Sequence, residues 1–186
     1  DAQYFTIPET VDIKAGENTS LLNVNFTLKN LNLVDKWVLP LTIVDGPSYD
    51  YKAHPRKNYR KALLRVMPFN SYSGTYSSTT LNIYLKGSEN DASIVQNTKQ
   101  VYVSDETSVF FYAGTVDEDR SDRTNYKINV KFDPKSNNLT LTADNPLMQF
   151  TLNKAPSYTI DEDMDATRPY LLHRYVTIRN IDYSFA

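Results

Sequence analysis

The chain of 186 residues contains no cysteine, two histidines, one tryptophan and five glycines. Without cysteine it has no disulfide, no thiol nucleophile and no thiolate metal site. The histidines, His54 and His173, stand far apart in sequence, and each reads as a surface or packing residue. The glycines are scattered singly, so no glycine-rich loop cradles a phosphate, and neither a G-x-S-x-G elbow nor an H-E-x-x-H pair occurs. No apolar run approaches the roughly 20 residues of a membrane-spanning helix. Asp1–Thr6 has neither the basic start nor the apolar stretch of a signal peptide. Neither sign of charge dominates: the formal net charge is −2, which exerts no global pull toward nucleic acid. These absences predict a protein that is not an enzyme, carries no metal or cofactor and does not bind nucleic acid.

What the chain does have is short apolar alternation, nearly from end to end. Hydrophobic residues make up 40%, enough for a core and too many for a disordered segment. Leu22, Val24, Phe26 and Leu28 alternate with polar residues and predict a half-buried strand. Trp37–Val44 is a denser strand, and Pro40 within it points to an edge or a bulge, because proline cannot donate to a ladder. Ala62–Met67 is a further strand, and Pro68–Ser71 reads as a boundary. Beyond it, Leu81–Leu85, Val101–Val103 and Val109–Ala113 are strand-like, and residues 126–143 read as a hairpin turning at Asp133–Asn138. Val176 and Ile178 form the apolar face of a late strand. Ile181, Tyr183 and Phe185 continue on the other parity, which suggests a bulge near Asn180. Asp91–Thr98 is the best helical candidate. The strand pattern still runs at Ala186, so the ordered chain is expected to extend further. The organisation predicted is a β-sandwich over residues 1–68 and an antiparallel β-barrel or second sandwich over 69–186. Residues 1–69 carry nine Lys/Arg against seven Asp/Glu, and residues 70–186 eleven against fifteen, a difference that suggests two units.

Candidate sites are few. The fourteen tyrosines suit strands, where the ring packs and the hydroxyl reaches water, and they equally suit sugar binding. Tyr49–Lys61 mixes three tyrosines with five Lys/Arg. It reads as an interdomain loop, as a contact for carbohydrate or a partner, or as a weak match to a single-stranded nucleic-acid surface. Tyr49, Tyr51, His54 and Tyr59 are the ligand-binding candidates. Trp37 is expected in the first core, or, if exposed on an edge, as a stacking platform. Acidic residues cluster at Asp117–Asp119 and Asp161–Asp165. Carboxylate pairs can hydrolyse glycosides, with Asp119 and Asp163 as the residues to test, but a general acid must be shielded enough to keep its proton and both clusters read as exposed turns. Asp161, Asp163 and Asp165 also show the D-x-D-x-D spacing of a calcium loop, which then fails at Ala166 and Leu172, where glycine and a bidentate glutamate belong.

Ile7-Pro8-Glu9-Thr10-Val11-Asp12-Ile13-Lys14-Ala15-Gly16, then Val24-Asn25-Phe26, then Trp37-Val38-Leu39-Pro40-Leu41-Thr42-Ile43, resembles the N-terminal module of Bacteroidetes surface lipoproteins. That pattern is a "P-x-x-V-x-I-x-A-G" opening, two strands and an "L-P-L-x-I" strand. From Tyr72-Ser73-Gly74-Thr75-Tyr76 onward the chain is similar to the β-rich domain of unknown function that often follows the module. The resemblance implies an immunoglobulin-like first module without catalytic role, then a calycin-like barrel or a second sandwich. It implies a place at the cell surface, outer membrane or periplasm, with any membrane attachment through a lipid anchor outside these residues. The partners implied are a glycan, or surface proteins of glycan uptake and processing. It brings no site residues of its own. Two functional readings stand: a non-catalytic protein that binds glycan or braces a glycan-processing complex, and a protein–protein module with no ligand of its own. A carboxylate hydrolase ranks behind both.

Overall fold

The computed structural model describes residues 3–29, 31–44, 59–77, 81–87 and 92–186. Among them the chain is all-β, as expected, with one 3-10 turn and no α-helix. The strands are β1 (Phe5–Thr6), β2 (Asn25–Phe26), β3 (Val38–Thr42), β4 (Lys61–Arg65), β5 (Gly74–Ser77), β6 (Asn82–Ile83), β7 (Ile94–Val95) and β8 (Thr98–Val103), then β9 (Ser108–Tyr112), β10 (Lys127–Asp133), β11 (Asn138–Ala143), β12 (Thr151–Leu152), β13 (Ser157–Met164), β14 (Leu172–Arg179) and β15 (Tyr183–Ser184).

The chain divides into two compact units, Asp1–Asp35 and Lys36–Ala186. The first holds the β1–β2 ladder, in which Phe5 faces Phe26. Of the alternating run Leu22–Leu28, Asn25 and Phe26 pair with β1, and the Thr27 amide adds a bond to the Tyr4 carbonyl at 2.8 Å. The second unit begins with the β3–β4 hairpin. Pro40 faces Leu63 across the β3–β4 pair. Bonds at Ile43–Arg60 and Trp37–Val66 make the odd positions the bonded ones, so by alternation the Pro40 nitrogen points away from β4 and its missing N–H costs no ladder bond. The sequence boundary expected at 68/69 falls after β4. There Asn70 is an anchor: its side-chain amide donates to the carbonyls of Asp105 (2.6 Å) and Ser108 (3.1 Å).

A curled, seven-stranded antiparallel sheet in the order β14-β13-β11-β10-β9-β8-β5 carries the second unit. β10 and β11 form the hairpin predicted over 126–143, with Ile128, Val130 and Phe132 opposite Ala143, Leu141 and Leu139. Alternation puts all six on one face. Asp133 closes the turn by accepting from the Lys135 amide (2.9 Å) and the Ser136 hydroxyl (2.6 Å), and Asn137 takes the left-handed conformation at φ 56°. The core joins Tyr72, Val109, Phe111, Ile128, Val130, Phe132, Leu139, Leu141 and Tyr158, each large side chain contributing about 1.5–3 kcal/mol on burial. Tyr72 lies flat on Phe132 at 4.0 Å, and Tyr158 meets Phe132 edge-on.

Three sequence expectations are corrected. Ile94–Val95 is a strand facing Asn82–Ile83, and Thr98 opens β8, so Asp91–Thr98 is not a helix within its described residues. The β-branched pair favours the strand. Trp37 is 43% exposed and outside the core. Asn180 marks an exit rather than a bulge: at φ 61° it turns the chain off β14, and β15 pairs with β12 instead. The turn delivers Ile181, Tyr183 and Phe185 against the core, where Tyr183 lies 6.0 Å from Phe111 and Phe185 6.4 Å from Tyr126.

Candidate functional site

Tyr49, Tyr51 and His54 lie outside the described residues. Tyr59 precedes β4 in a turn and is 63% exposed.

The two acidic clusters take different roles. At Asp117–Asp119 the middle residue is the structural one: Glu118 accepts from the Tyr102 hydroxyl at 2.8 Å and lies 3.4 Å from the Lys36 ammonium. The Tyr102 bond, then Lys36, holds its carboxyl below the usual range. Arg123 donates to the Glu118 carbonyl, and Asp117 caps the Asp119 amide at 3.1 Å. These bonds fasten a loop. Asp119 and Asp163 are both exposed, on different elements, and no hydrogen bond connects them.

The second cluster lies on a ribbon. β13 and β14 pair over eight residues, from Ser157↔Arg179 to Met164↔Leu172, whereas β13 pairs with β11 only at Asn138↔Ser157. Among the described residues, the ribbon thus continues past β11 as two strands alone. Its root is core, with Tyr158 and Ile160 opposite Ile178 and Val176. Asp161 and Asp163 occupy extended positions on a strand. Their Cα atoms stand about 7 Å apart at strand rise, and the strand cannot wrap them around one cation as a calcium loop does. Among the described residues no group of acidic and histidine side chains is placed to hold a metal.

Asp165 builds the turn beyond β13. One carboxylate oxygen accepts from the Thr167 amide (2.8 Å), the Thr167 hydroxyl (2.7 Å) and the Arg168 amide (2.8 Å), and the other meets His173 Nε2 at 2.9 Å. The His173 bond and then those to Thr167 and Arg168 hold this carboxyl well below the usual carboxylate range. An ionised carboxylate only accepts, so Nε2 carries the proton and Nδ1 is left for other partners. The imidazole lies beside the Tyr175 ring, 6.1 Å between centroids and 29° between planes.

The period of two sorts the ribbon's side chains. Tyr158, Ile160, Val176 and Ile178 share the core face, which continues outward into the Glu162–Arg174 ion pair (3.7 Å) and then Met164 and Leu172. The opposite face presents Asp161 across from Tyr175, Asp163 across from His173 and Thr159 across from Thr177. Tyr175 is 55% exposed. The expected strand face Val176/Ile178 already places Tyr175 on the other side. What sequence cannot supply is the register that sets two carboxylates opposite Tyr175 and His173. At the tip, Met164, Tyr170, Leu171 and Leu172 are exposed.

A family profile described as "-like, C-terminal" matches residues 60–186. The chain belongs to that family. A second profile, a domain of unknown function (DUF4973), matches residues 1–47. The chain is also similar to solved Bacteroides structures. One is described as an auxiliary nutrient binding protein from Bacteroides thetaiotaomicron; it is 46% identical over 98% of this chain, with TM-score 0.80. A multidomain protein including DUF1735 from Bacteroides ovatus is 40% identical over the whole chain, with TM-score 0.82. A protein of unknown function, also from Bacteroides ovatus, is 35% identical, with TM-score 0.78. The chain spans 61% of the length of the first two and 62% of the third. No curated protein matches the chain. Among the described residues no helix is long and apolar enough to cross a membrane.

Proposed function

We propose that the chain is a non-catalytic part of a Bacteroides surface protein that helps to capture glycan nutrients. The observation that carries this reading is its 46% identity, over 98% of its length, to the protein described as an auxiliary nutrient binding protein. The geometry agrees in kind. The ribbon offers an open face bearing an exposed aromatic ring and polar side chains, a surface suited to holding an extended molecule. It lacks the water-excluding pocket that would raise the pKa of an acid. An immunoglobulin-like first module without catalytic role, and a lipid anchor outside these residues, complete the proposal.

The test is retention of the purified chain on an array of plant, fungal and host glycans, with product analysis of the bound sugars. Retention without cleavage is expected. Cleavage that disappears in Asp119→Asn or Asp163→Asn would overturn the non-catalytic assignment, and an array with no retained glycan would overturn glycan capture.

A second reading, bracing of a surface complex, draws on the exposed Met164, Tyr170, Leu171 and Leu172. Contiguous apolar side chains at a tip are a common protein-contact signature. Chemical crosslinking in intact cells that reaches a partner from residues 164–172 would favour it.

A further inference from the structure

We propose that the outward face of the β13–β14 ribbon is the glycan platform and that it selects neutral sugars: the Tyr175 ring takes the apolar face of one sugar residue while Asp161 and Asp163 accept hydrogen bonds from its hydroxyls. The proposal rests on the glycan reading above and deepens it. Four observations support it. Tyr175 is exposed on a strand whose register is set by eight consecutive pairs, so the ring is presented by paired strand backbone rather than by a loop. Asp161 stands directly opposite, where Cβ atoms are about 5 Å apart, and Asp163 diagonally, at about 7–8 Å. Both carboxylates are exposed and take no part in the ion pairs and hydrogen bonds that bind Glu162 to Arg174 and Asp165 to His173, which leaves their acceptor capacity for a ligand rich in hydroxyl donors. His173, tied down by Asp165 at 2.9 Å and lying beside Tyr175, is a positioning residue that limits the ring's freedom and so reduces the ordering cost of binding.

Charge decides the class of ligand. Residues 157–179 carry four acidic side chains and three arginines, so the ribbon as a whole steers neither a polyanion nor a polycation strongly. Next to Tyr175, however, the groups are Asp161 and Asp163. A sugar bearing carboxylate or sulfate would bring like charges within several ångströms, and screening by water leaves a penalty of about tenfold in affinity. A neutral sugar meets no such penalty. A cationic peptide would also fit two carboxylates beside an aromatic ring, and the experiment includes it as a rival.

The whole chain is run in native gels containing a neutral polysaccharide (xyloglucan or mannan), an acidic one (polygalacturonate) or oligolysine, with isothermal titration of whichever retards it. Tyr175→Ala, Tyr175→Phe and the double variant Asp161→Asn/Asp163→Asn are compared after circular dichroism shows an unchanged fold. Neutral polymer is expected to retard the wild type at least tenfold more strongly than polygalacturonate. Tyr175→Ala should abolish that retardation and Tyr175→Phe keep most of it. The double Asn variant should bind the neutral polymer several-fold more weakly and lose its discrimination against polygalacturonate. Retardation by neutral polymer that survives Tyr175→Ala would overturn the ribbon as the platform while leaving glycan capture intact. Retardation by polygalacturonate alone, or by oligolysine alone, would overturn neutral selection. No retardation by any glycan would overturn the platform, and silence of the array would then remove the glycan reading with it.

Discussion

Gly114 shows how one residue can tie several parts of the fold. Its φ is +56°, in the left-handed region, and a Cβ there would meet Phe185 Cζ at 3.2 Å. Its carbonyl accepts from the Lys99 ammonium at 2.7 Å, and its amide donates to the Tyr183 hydroxyl at 3.3 Å. Left-handed geometry costs an L-residue about 1–2 kcal/mol, and the added methyl must also displace Phe185. Gly114→Ala is therefore expected to lose at least about 1 kcal/mol, read as a lower urea midpoint at unchanged slope. A midpoint equal to that of the wild type would contradict this account.

At the scale of elements, β8 sends Lys99 across to the chain that follows β9, where its ammonium also donates to the Val116 carbonyl at 3.2 Å. Burial, only partly offset by Asp117, pulls its pKa down to about 8. The unfolded chain holds this proton up to about pH 10.4, so between the two values the unfolded state binds more protons and stability rises with pH. The stability difference between the wild type and Lys99→Met should accordingly shift in the wild type's favour from pH 7.5 to pH 9.5. Parallel urea-midpoint curves for the two proteins would show that Lys99 does not titrate there. Tyr76, pushed up to about 12 mainly by burial, works in the other direction, opposing stability only above pH 10, where the unfolded tyrosine ionises first. Below that the lysine effect is read without interference from Tyr76.

At the scale of the whole molecule, every described member of the main core lies between Tyr72 and Phe185, and the seven-stranded sheet lies entirely within the unit Lys36–Ala186. A core of this kind needs no side chain from Asp1–Asp35. The fragment 36–186 is expected to fold alone, with a β-type circular dichroism spectrum and a single cooperative thermal transition. A broad, non-cooperative melt would show that the first unit is required.

The β10–β11 hairpin was legible because a period of two and the polar turn Asp133–Asn138 agree locally. The apolar face of β14 was legible for the same reason, and with it the side on which Tyr175 must stand. Other features were decided by distant contacts. Ile94–Val95 became a strand because Asn82–Ile83 lies opposite, and the run Leu22–Leu28 is bonded only where Tyr4–Thr6 lies beside it. The parity change after Ile178 looked like a local bulge, yet the chain leaves the sheet there to put Tyr183 and Phe185 on the core. The ribbon face is of this second kind. Its residue types are plain in the sequence, but the pairing of Asp161 with Tyr175 and Asp163 with His173 is a matter of register. Composition and alternation determined that the chain is all-β, because a side chain's face depends only on its neighbours along the strand. Which strands meet, and in what register, was decided by the tertiary structure, because that depends on burying apolar surface between residues far apart in the chain.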